Sequence, residues 1–301
     1  MVAQTSAPWK SAYGDEEVEE VGCPVCGARE SSTVAVEWSL VVARCRSCGM
    51  QYVRRRIVHA EWNYRGDRDT LLAKYDPVLR GELPHTRVRN YAEILDRLEP
   101  YRPSGGGRLL DVGTHMGFFA RAAVERGWEL VGVEQSPVLA EIARSRGLDV
   151  RSGYFGEVDV GGGFDAVTFL DVLEHVQDPV ALLGLARAAL RPGGVVLVKV
   201  PHVAWNTLKH RTAKRLLGER MDSYDAREHL LQFTDATLRD TFRRAELEPL
   251  ELFVPLPVQT GGRARRMLRR AAWAAGQASL RAKGSATALC PDLVLIGRRA
   301  P

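Results

Sequence analysis

Hydrophobic and polar residues change period in a regular order through the middle of the chain. Leu109 to Val112 is a short apolar run of strand length. A helical pattern then opens near Gly117, and a second strand runs from Leu130 to Val133 and ends in Glu134. The alternation continues with a helix over Val138 to Arg146, strands over Asp149 to Ser152 and Phe164 to Leu170, a helix over Val180 to Leu190, and a strand over Val195 to Val200. Asp178 caps the last of these helices, with Pro179 at its first position. Further on, a helix is predicted over Ala236 to Ala245 behind Thr234 or Asp235, followed by strands over Leu250 to Val254 and Leu293 to Ile296. Strands alternating with helices predict an α/β fold, a doubly wound parallel sheet that binds ligands outside the carboxyl ends of its strands.

The first strand–turn–helix unit carries the sharpest chemical signal. Asp111-Val-Gly113-Thr114-His115-Met-Gly117 forms its turn, and Glu134 follows Gly113 by 21 residues. A carboxylate about 20 residues beyond such a turn holds a ribose hydroxyl pair. A dinucleotide fingerprint also needs a middle glycine, so that backbone can approach a pyrophosphate. Here that position is His115 and the third is Phe118, which disfavours NAD and FAD and leaves adenosine without a pyrophosphate.

Asp111-x-Gly113-x-x-x-Gly117 followed by Glu134 resembles motif I of class I S-adenosylmethionine methyltransferases, with the central glycine replaced by His115. Phe164-Asp-Ala-Val, Leu173-Glu174-His175 and Leu190-Arg-Pro-Gly-Gly extend the resemblance over residues 108–202. It implies a Rossmann-like seven-stranded sheet with an antiparallel edge and bound S-adenosyl-L-methionine. Gly113, Thr114 and Gly117 would admit the methionine end, Glu134 and Gln135 the ribose, and Gly153, Tyr154, Leu170 and Asp171 the adenine and sulfonium side. Asp111 belongs to the same motif. Asp171, Glu174 and His175 also resemble the acid–acid–His set that ubiquinone-pathway O-methyltransferases use for a divalent cation; the competing reading is that Glu174 and His175 only brace the loop.

Four of the five cysteines form Cys23-x2-Cys26 and Cys45-x2-Cys48, eighteen residues apart, a spacing suited to zinc. Gly27 and Gly49 turn each knuckle, and a hairpin is predicted between them over Thr33 to Trp38 and Leu40 to Arg44. Four thiolates close a tetrahedral shell, so the expected zinc is structural.

Composition then sets the boundaries. Residues 1–21 read as an acidic lead-in, 22–56 as a zinc ribbon, 57–107 as a helical connector with a helix over Thr86 to Leu98, and 108–301 as the methyltransferase domain. Tyr64 and Tyr75 are candidate lid residues in the connector. Net charge is +5 overall, yet residues 203–284 alone carry +7, concentrated in insertions at 203–227 and 261–284. No apolar run approaches transmembrane length and the start of the chain is acidic. These features predict a cytoplasmic protein with peripheral membrane contact through its basic helices.

Methyl transfer to a hydroxyl, or to a carbon acid, needs a base. His202 at the end of the fifth strand and His229 in Glu228-His229-Leu-Leu-Gln-Phe-Thr234 are the candidates, and the latter run resembles a substrate-side segment of sugar and small-molecule methyltransferases. The expected acceptor is a small molecule, sugar or glycan-type, lipid-linked precursor. An RNA methyltransferase using the ribbon to hold nucleic acid is the second reading, weakened by sparse aromatic and basic interleaving in the ribbon. A non-catalytic cofactor-binding scaffold is the third.

Overall fold

The computed structural model describes residues 17–58, 68–80, 87–217, 224–257, 262–283, 285–286 and 290–301. The lead-in up to residue 16, Tyr64, Thr86, and the insertion ends at Gly218, Gly261 and Gly284 lie outside the described residues.

Two sheets organise the chain. The larger has seven strands: β5 (Gly107–Val112), β6 (Trp128–Glu134), β7 (Val150–Ser152), β8 (Phe164–Leu170), β9 (Leu190–Pro201), β11 (Leu247–Phe253) and β12 (Asp292–Arg299). Their order is β11-β12-β9-β8-β5-β6-β7, with β5 to β9 mutually parallel and β12 antiparallel to both β9 and β11. This is the expected doubly wound sheet with an antiparallel edge, and its order reverses between β5 and β8, where such sheets place ligands. Central strands are apolar on both faces because helices cover both sides: β8 is buried from Phe164 through Phe169.

The helices are α1 (Arg68–Leu79), α2 (Val88–Leu98), α3 (Phe118–Glu125), α4 (Pro137–Ser145), α5 (Pro179–Ala189), α6 (Val203–Leu217), α7 (Asp235–Arg244) and α8 (Arg263–Lys283). Local chemistry sets several of their starts. Asp178 accepts from the Ala181 amide ahead of Pro179 in α5, Ser136 accepts from Leu139 in α4, and Thr234 forms a reciprocal capping box with Thr237 in α7. Ile94, Leu95 and Leu98 of α2 are fully enclosed, each contributing about 1.5–3 kcal/mol by leaving water. Strand β11 starts three residues before the predicted Leu250, and its register slips between Pro249 and Glu251. Proline lacks an amide to give to a ladder and is tolerated on an edge strand such as this one.

The smaller sheet holds the cysteines: β1 (Val18–Glu20), β2 (Ser31–Glu37), β3 (Leu40–Cys45) and β4 (Gln51–Ile57), in the order β1-β4-β3-β2. The predicted hairpin is β2–β3. A distant fifth strand, β10 (Leu231–Gln232), pairs antiparallel with β4 through Leu231↔Tyr52 and Gln232↔Gln51. The two sheets also share one core. Cys23, Val25, Cys45, Met50 and Tyr52 cluster with Leu173, Leu183, Phe233 and Leu238.

Candidate active site

The turn after β5 is built from left-handed backbone. Gly113 and Gly117 have φ of 79° and 77°, and a Cβ on either would collide with Val172 or Leu148 respectively. His115, which stands at the missing central glycine, takes φ 54°. A histidine thus adopts the conformation glycine would supply, at a typical cost of about 1–2 kcal/mol. Its amide donates to Glu134 Oε2 at 2.8 Å, and its ring packs edge-on against Tyr75 of α1, with centroids 5.6 Å apart. Glu134 Oε1 accepts from the Ser136 amide at 2.9 Å. The carboxylate keeps accepting capacity for a further donor. Burial pushes the Glu134 carboxyl up, opposed by the amides of Ser136, His115 and Gln135. Thr114 Oγ1 donates to the Asp111 carbonyl at 2.7 Å, while Asp111 itself lies beneath the turn, 2% exposed, accepting from Thr168 at 2.7 Å. Desolvation raises the Asp111 carboxyl to about 7.

At the carboxyl end of β8 the charges are paired. Asp171, at φ 60°, takes the Lys199 ammonium on Oδ1 at 2.5 Å and the Arg87 guanidinium on Oδ2; Lys199 also lies 3.5 Å from Asp292. Burial raises the Asp171 carboxyl, but the two cations outweigh it and hold it below its ordinary value. Asp171 is therefore not a member of the acid–acid–His set predicted with Glu174 and His175. The structure instead gathers Glu174, His175 and His229, whose ligand atoms all lie within 4.8 Å of one another. Glu174 is 1% exposed, and neither of its oxygens has a hydrogen-bond partner among the described residues. Burial, helped by the Asp171 charge, drives its pKa well above the ordinary carboxylate range, which favours the neutral acid. His175 Nδ1 lies 2.7 Å from the Glu228 carbonyl, so that nitrogen carries the proton and Nε2 keeps its lone pair. Burial lowers the His175 pKa. The His175 and His229 rings sit 4.9 Å apart.

His202 corrects an expectation. It does not stand at the mouth of the site: it is 2% exposed, its Nδ1 lies 3.2 Å from the Cys290 carbonyl, and its backbone bridges to Phe233. Burial lowers its pKa. A neutral ring enclosed in this way braces the junction between β9 and the 224–233 segment.

In the smaller sheet, Cys23 Sγ lies 3.5 Å from Cys48 Sγ, and Cys26 Sγ lies 3.6 Å from Cys45 Sγ. All four sulfurs fall within 4.8 Å of one another. Thiolates about 2.3 Å from a tetrahedral ion sit about 3.8 Å apart, so the cluster fits zinc. Gly27 and Gly49, at φ 74° and 77°, close the two knuckles with amides donated to the Cys23 and Cys45 carbonyls. Burial raises Cys48 to about 11; it raises Cys45 too, but the amides of Cys48 and Ser47 outweigh it and bring that thiol down to about 7.

Residues 83–252 match the family described as the methyltransferase domain. The chain belongs to that family. Its sheet order is that of the class I S-adenosylmethionine-dependent methyltransferase fold. It is 34% identical over 106 residues to the ubiquinone biosynthesis O-methyltransferase of Xanthomonas axonopodis pv. citri, covering 33% of this chain and 43% of the relative. The corresponding Xylella fastidiosa protein is 31% identical over 112 residues, covering 35% and 46%. The chain thus spans less than half the length of the curated relatives it matches. Among solved structures, a Haloferax volcanii methyltransferase in complex with the Trm112 methyltransferase activator aligns with a TM-score of 0.53 and 18% identity, over 76% of this chain and 96% of that one. Haemonchus contortus phosphoethanolamine N-methyltransferase 2 in complex with S-adenosyl-L-methionine aligns at 0.50 and 17%, over 71% and 53%. At such identities these likenesses carry the fold alone.

Within the methyltransferase, the turn residues Gly113 to Gly117 and Glu134 come together at one strand end. Gly153 follows β7, its amide bonded to the Glu134 carbonyl at 3.0 Å, and Tyr154 beside it is 53% exposed. Phe155 turns inward instead, against Phe169. Leu170 is half-buried and closes β8. Sequence reasoning missed Lys199 and Arg87. The signal for Lys199 was there, a lone cation inside the apolar run Val195 to Val200, whereas nothing local marks Arg87.

Proposed function

We propose that this methyltransferase moves the methyl group of S-adenosylmethionine to a hydroxyl of a small-molecule acceptor, with His229 as the base. The observation that carries the reading is the His229–His175 pair beside Glu174, at the carboxyl ends of β8 and β9. The names of the relatives, ubiquinone biosynthesis O-methyltransferases, favour transfer to oxygen and a lipid-linked or phenolic acceptor over RNA. Sugar and glycan-type precursors belong to the same proposal.

The bound sulfonium supplies an electrophilic methyl group. The chain's own residues do the rest. The turn from Gly113 to Gly117 offers backbone to the methionine end. Glu134 keeps accepting capacity for a ribose hydroxyl, and Gly153, Tyr154 and Leu170 line the adenine side. His229 removes the hydroxyl proton of the acceptor, and the neutral His175 beside it keeps a second cation from forming against the ring. Holding the acceptor atom in line in a dry pocket supplies roughly 7–11 kcal/mol of the barrier. Cys23, Cys26, Cys45 and Cys48 hold a structural zinc, which turns all four thiols into thiolates.

Peripheral membrane contact completes the proposal. Met267 and Leu268 of α8 are 66% and 71% exposed beside Arg263, Arg265 and Arg270, a pairing suited to an anionic lipid surface. No helix among the described residues is long and apolar enough to cross a membrane.

The test is a calorimetric titration with S-adenosylmethionine, followed by transfer of radiolabelled methyl to a panel of phenols and sugars. Micromolar binding, with label on a hydroxyl acceptor and loss of transfer in His229→Ala, supports the reading. Absence of binding sinks it.

A further inference from the structure

The segment from Tyr224 to Phe233 carries His229, yet it has little order of its own: a single turn, in which the amides of Glu228 and His229 donate to the Asp225 carbonyl, and the two residues of β10. The larger sheet's side holds it at Glu228, whose carbonyl meets His175, and at Phe233, whose carbonyl accepts from the Val203 amide; the cysteine-bearing sheet holds the rest of it. The Val53 amide donates to the Leu230 carbonyl at 2.9 Å, continuing the pairing of β10 with β4. Gln232 Nε2 donates to the Tyr224 carbonyl at 2.7 Å and accepts, through Oε1, from Asn206 at 3.1 Å. The clasp that reaches farthest along the sequence is Glu37. Its two oxygens accept from the backbone amides of Tyr224 at 2.9 Å and Ala226 at 3.2 Å, across 187 and 189 residues of sequence.

Glu37 has no local reason to be where it is. It closes β2 on the inward side of the alternation, two residues after the buried Ala35 and next to the exposed Val36, and it is only 4% exposed. That is a core position, and the neighbours are apolar: Leu40, Val42, Val53, Tyr224 and Ala226. A carboxylate there is costly unless hydrogen-bonded. The Trp38–Ser39 turn, with φ of 59° and 68°, reverses the hairpin directly after it. Both amides that satisfy Glu37 belong to the segment bearing His229.

We infer that Glu37 is a positioning residue for the acceptor side: it clamps the 224–233 segment onto the cysteine-bearing sheet and so sets His229 against His175. The inference rests on the role proposed for His229. The cofactor turn is held separately, by Glu134 and Tyr75, so losing the clamp disturbs the acceptor side and spares cofactor binding. Glutamine at position 37 retains one accepting oxygen and turns an NH2 toward the second amide, so it restores half of the clamp.

The experiment uses the full chain labelled with 15N, as wild type, Glu37→Gln and Glu37→Ala. Three quantities are read: amide exchange at Tyr224 and Ala226, the imidazole signals of His175 and His229, and the affinity for S-adenosylmethionine. The expected result for Glu37→Ala is exchange faster by about 100-fold at those two amides, displaced signals from both histidines, and cofactor affinity changed less than about 3-fold. Glu37→Gln should fall between it and wild type. Unmoved histidine signals overturn the inference and leave Glu37 as a structural residue only. A loss of cofactor affinity in a folded variant, equal to the disturbance at the histidines, also overturns it. Should Glu37→Ala not fold, Glu37→Gln carries the same three readings. Failure of wild type to bind S-adenosylmethionine strikes the proposed function instead, and the exchange and histidine readings still decide the role of Glu37.

Discussion

The proposed cofactor side and the proposed acceptor side of this methyltransferase are assembled in opposite ways. On the cofactor side, the turn from Gly113 to Gly117 and the carboxylate of Glu134 lie within a single strand–helix–strand unit, and the Gly113 amide reaches the Val133 carbonyl across 20 residues and the His115 amide reaches Glu134 across 19. On the acceptor side, Arg87 reaches Asp171 across 84 residues, His175 meets Glu228 across 53, and Glu37 holds Tyr224 across 187. A site built within one supersecondary unit tolerates damage elsewhere. One drawn from five parts of the chain inherits the stability of each.

The largest effect should come from the sheet that flanks the acceptor side. Cys45→Ser is expected to remove the zinc and destabilise the smaller sheet by more than about 5 kcal/mol, read by metal content and denaturant unfolding. Calorimetric binding of S-adenosylmethionine should persist if the two sides are as separate as their contacts. Full metal content in the variant would refute the four-cysteine site. Next, Lys199→Met leaves Asp171 with Arg87 alone in a buried setting and should cost about 3–5 kcal/mol in chemical unfolding; a neutral outcome would mean that this ion network adds nothing to the fold.

Glu134→Ala probes the other side. Two charge-assisted hydrogen bonds are worth about 3 kcal/mol together, so affinity should fall by about 100-fold in the same titration. Unchanged affinity removes the ribose assignment.

Asp111 gives a pH signature. Its folded pKa, about 7, is raised above the ordinary 3.8, so its contribution to stability is complete below the ordinary value and is lost as pH rises through about 7. Asp111→Asn should flatten the decline of unfolding free energy between about pH 4 and about 7, by a few kcal/mol at most. A slope equal to that of wild type would assign the decline to Glu134 and Glu174. The smallest effect is expected at position 115. His115→Gly relieves a left-handed residue and should leave cofactor affinity within about 3-fold, because the backbone already follows the path of the missing glycine.

The sequence carried different parts of the molecule with different clarity. Asp178 before Pro179 and Thr234 before α7 announced their helices, because a cap and the amide it serves are neighbours. The cysteine pairs announced the four-sulfur cluster for the same reason. His202 misled: a histidine after a strand at the carboxyl edge reads as catalytic, but packing of β12 and of Phe233 encloses it. Asp171 misled in company with Glu174 and His175, since adjacency along the chain does not say which carboxylate the Lys199 ammonium will claim.

What the sequence determined by itself was the α/β class, the glycine turn with its carboxylate, and the four-cysteine cluster. Each of these depends on periodicity, turn stereochemistry or spacing over a few tens of residues. The tertiary structure alone decided that His229 meets His175, that Arg87 and Lys199 share Asp171, and that a strand from residues 231–232 pairs with the cysteine-bearing sheet. Those arrangements join residues more than 50 positions apart along the chain, or depend on what encloses a residue, and are selected by how the common core packs. No local pattern can express that choice.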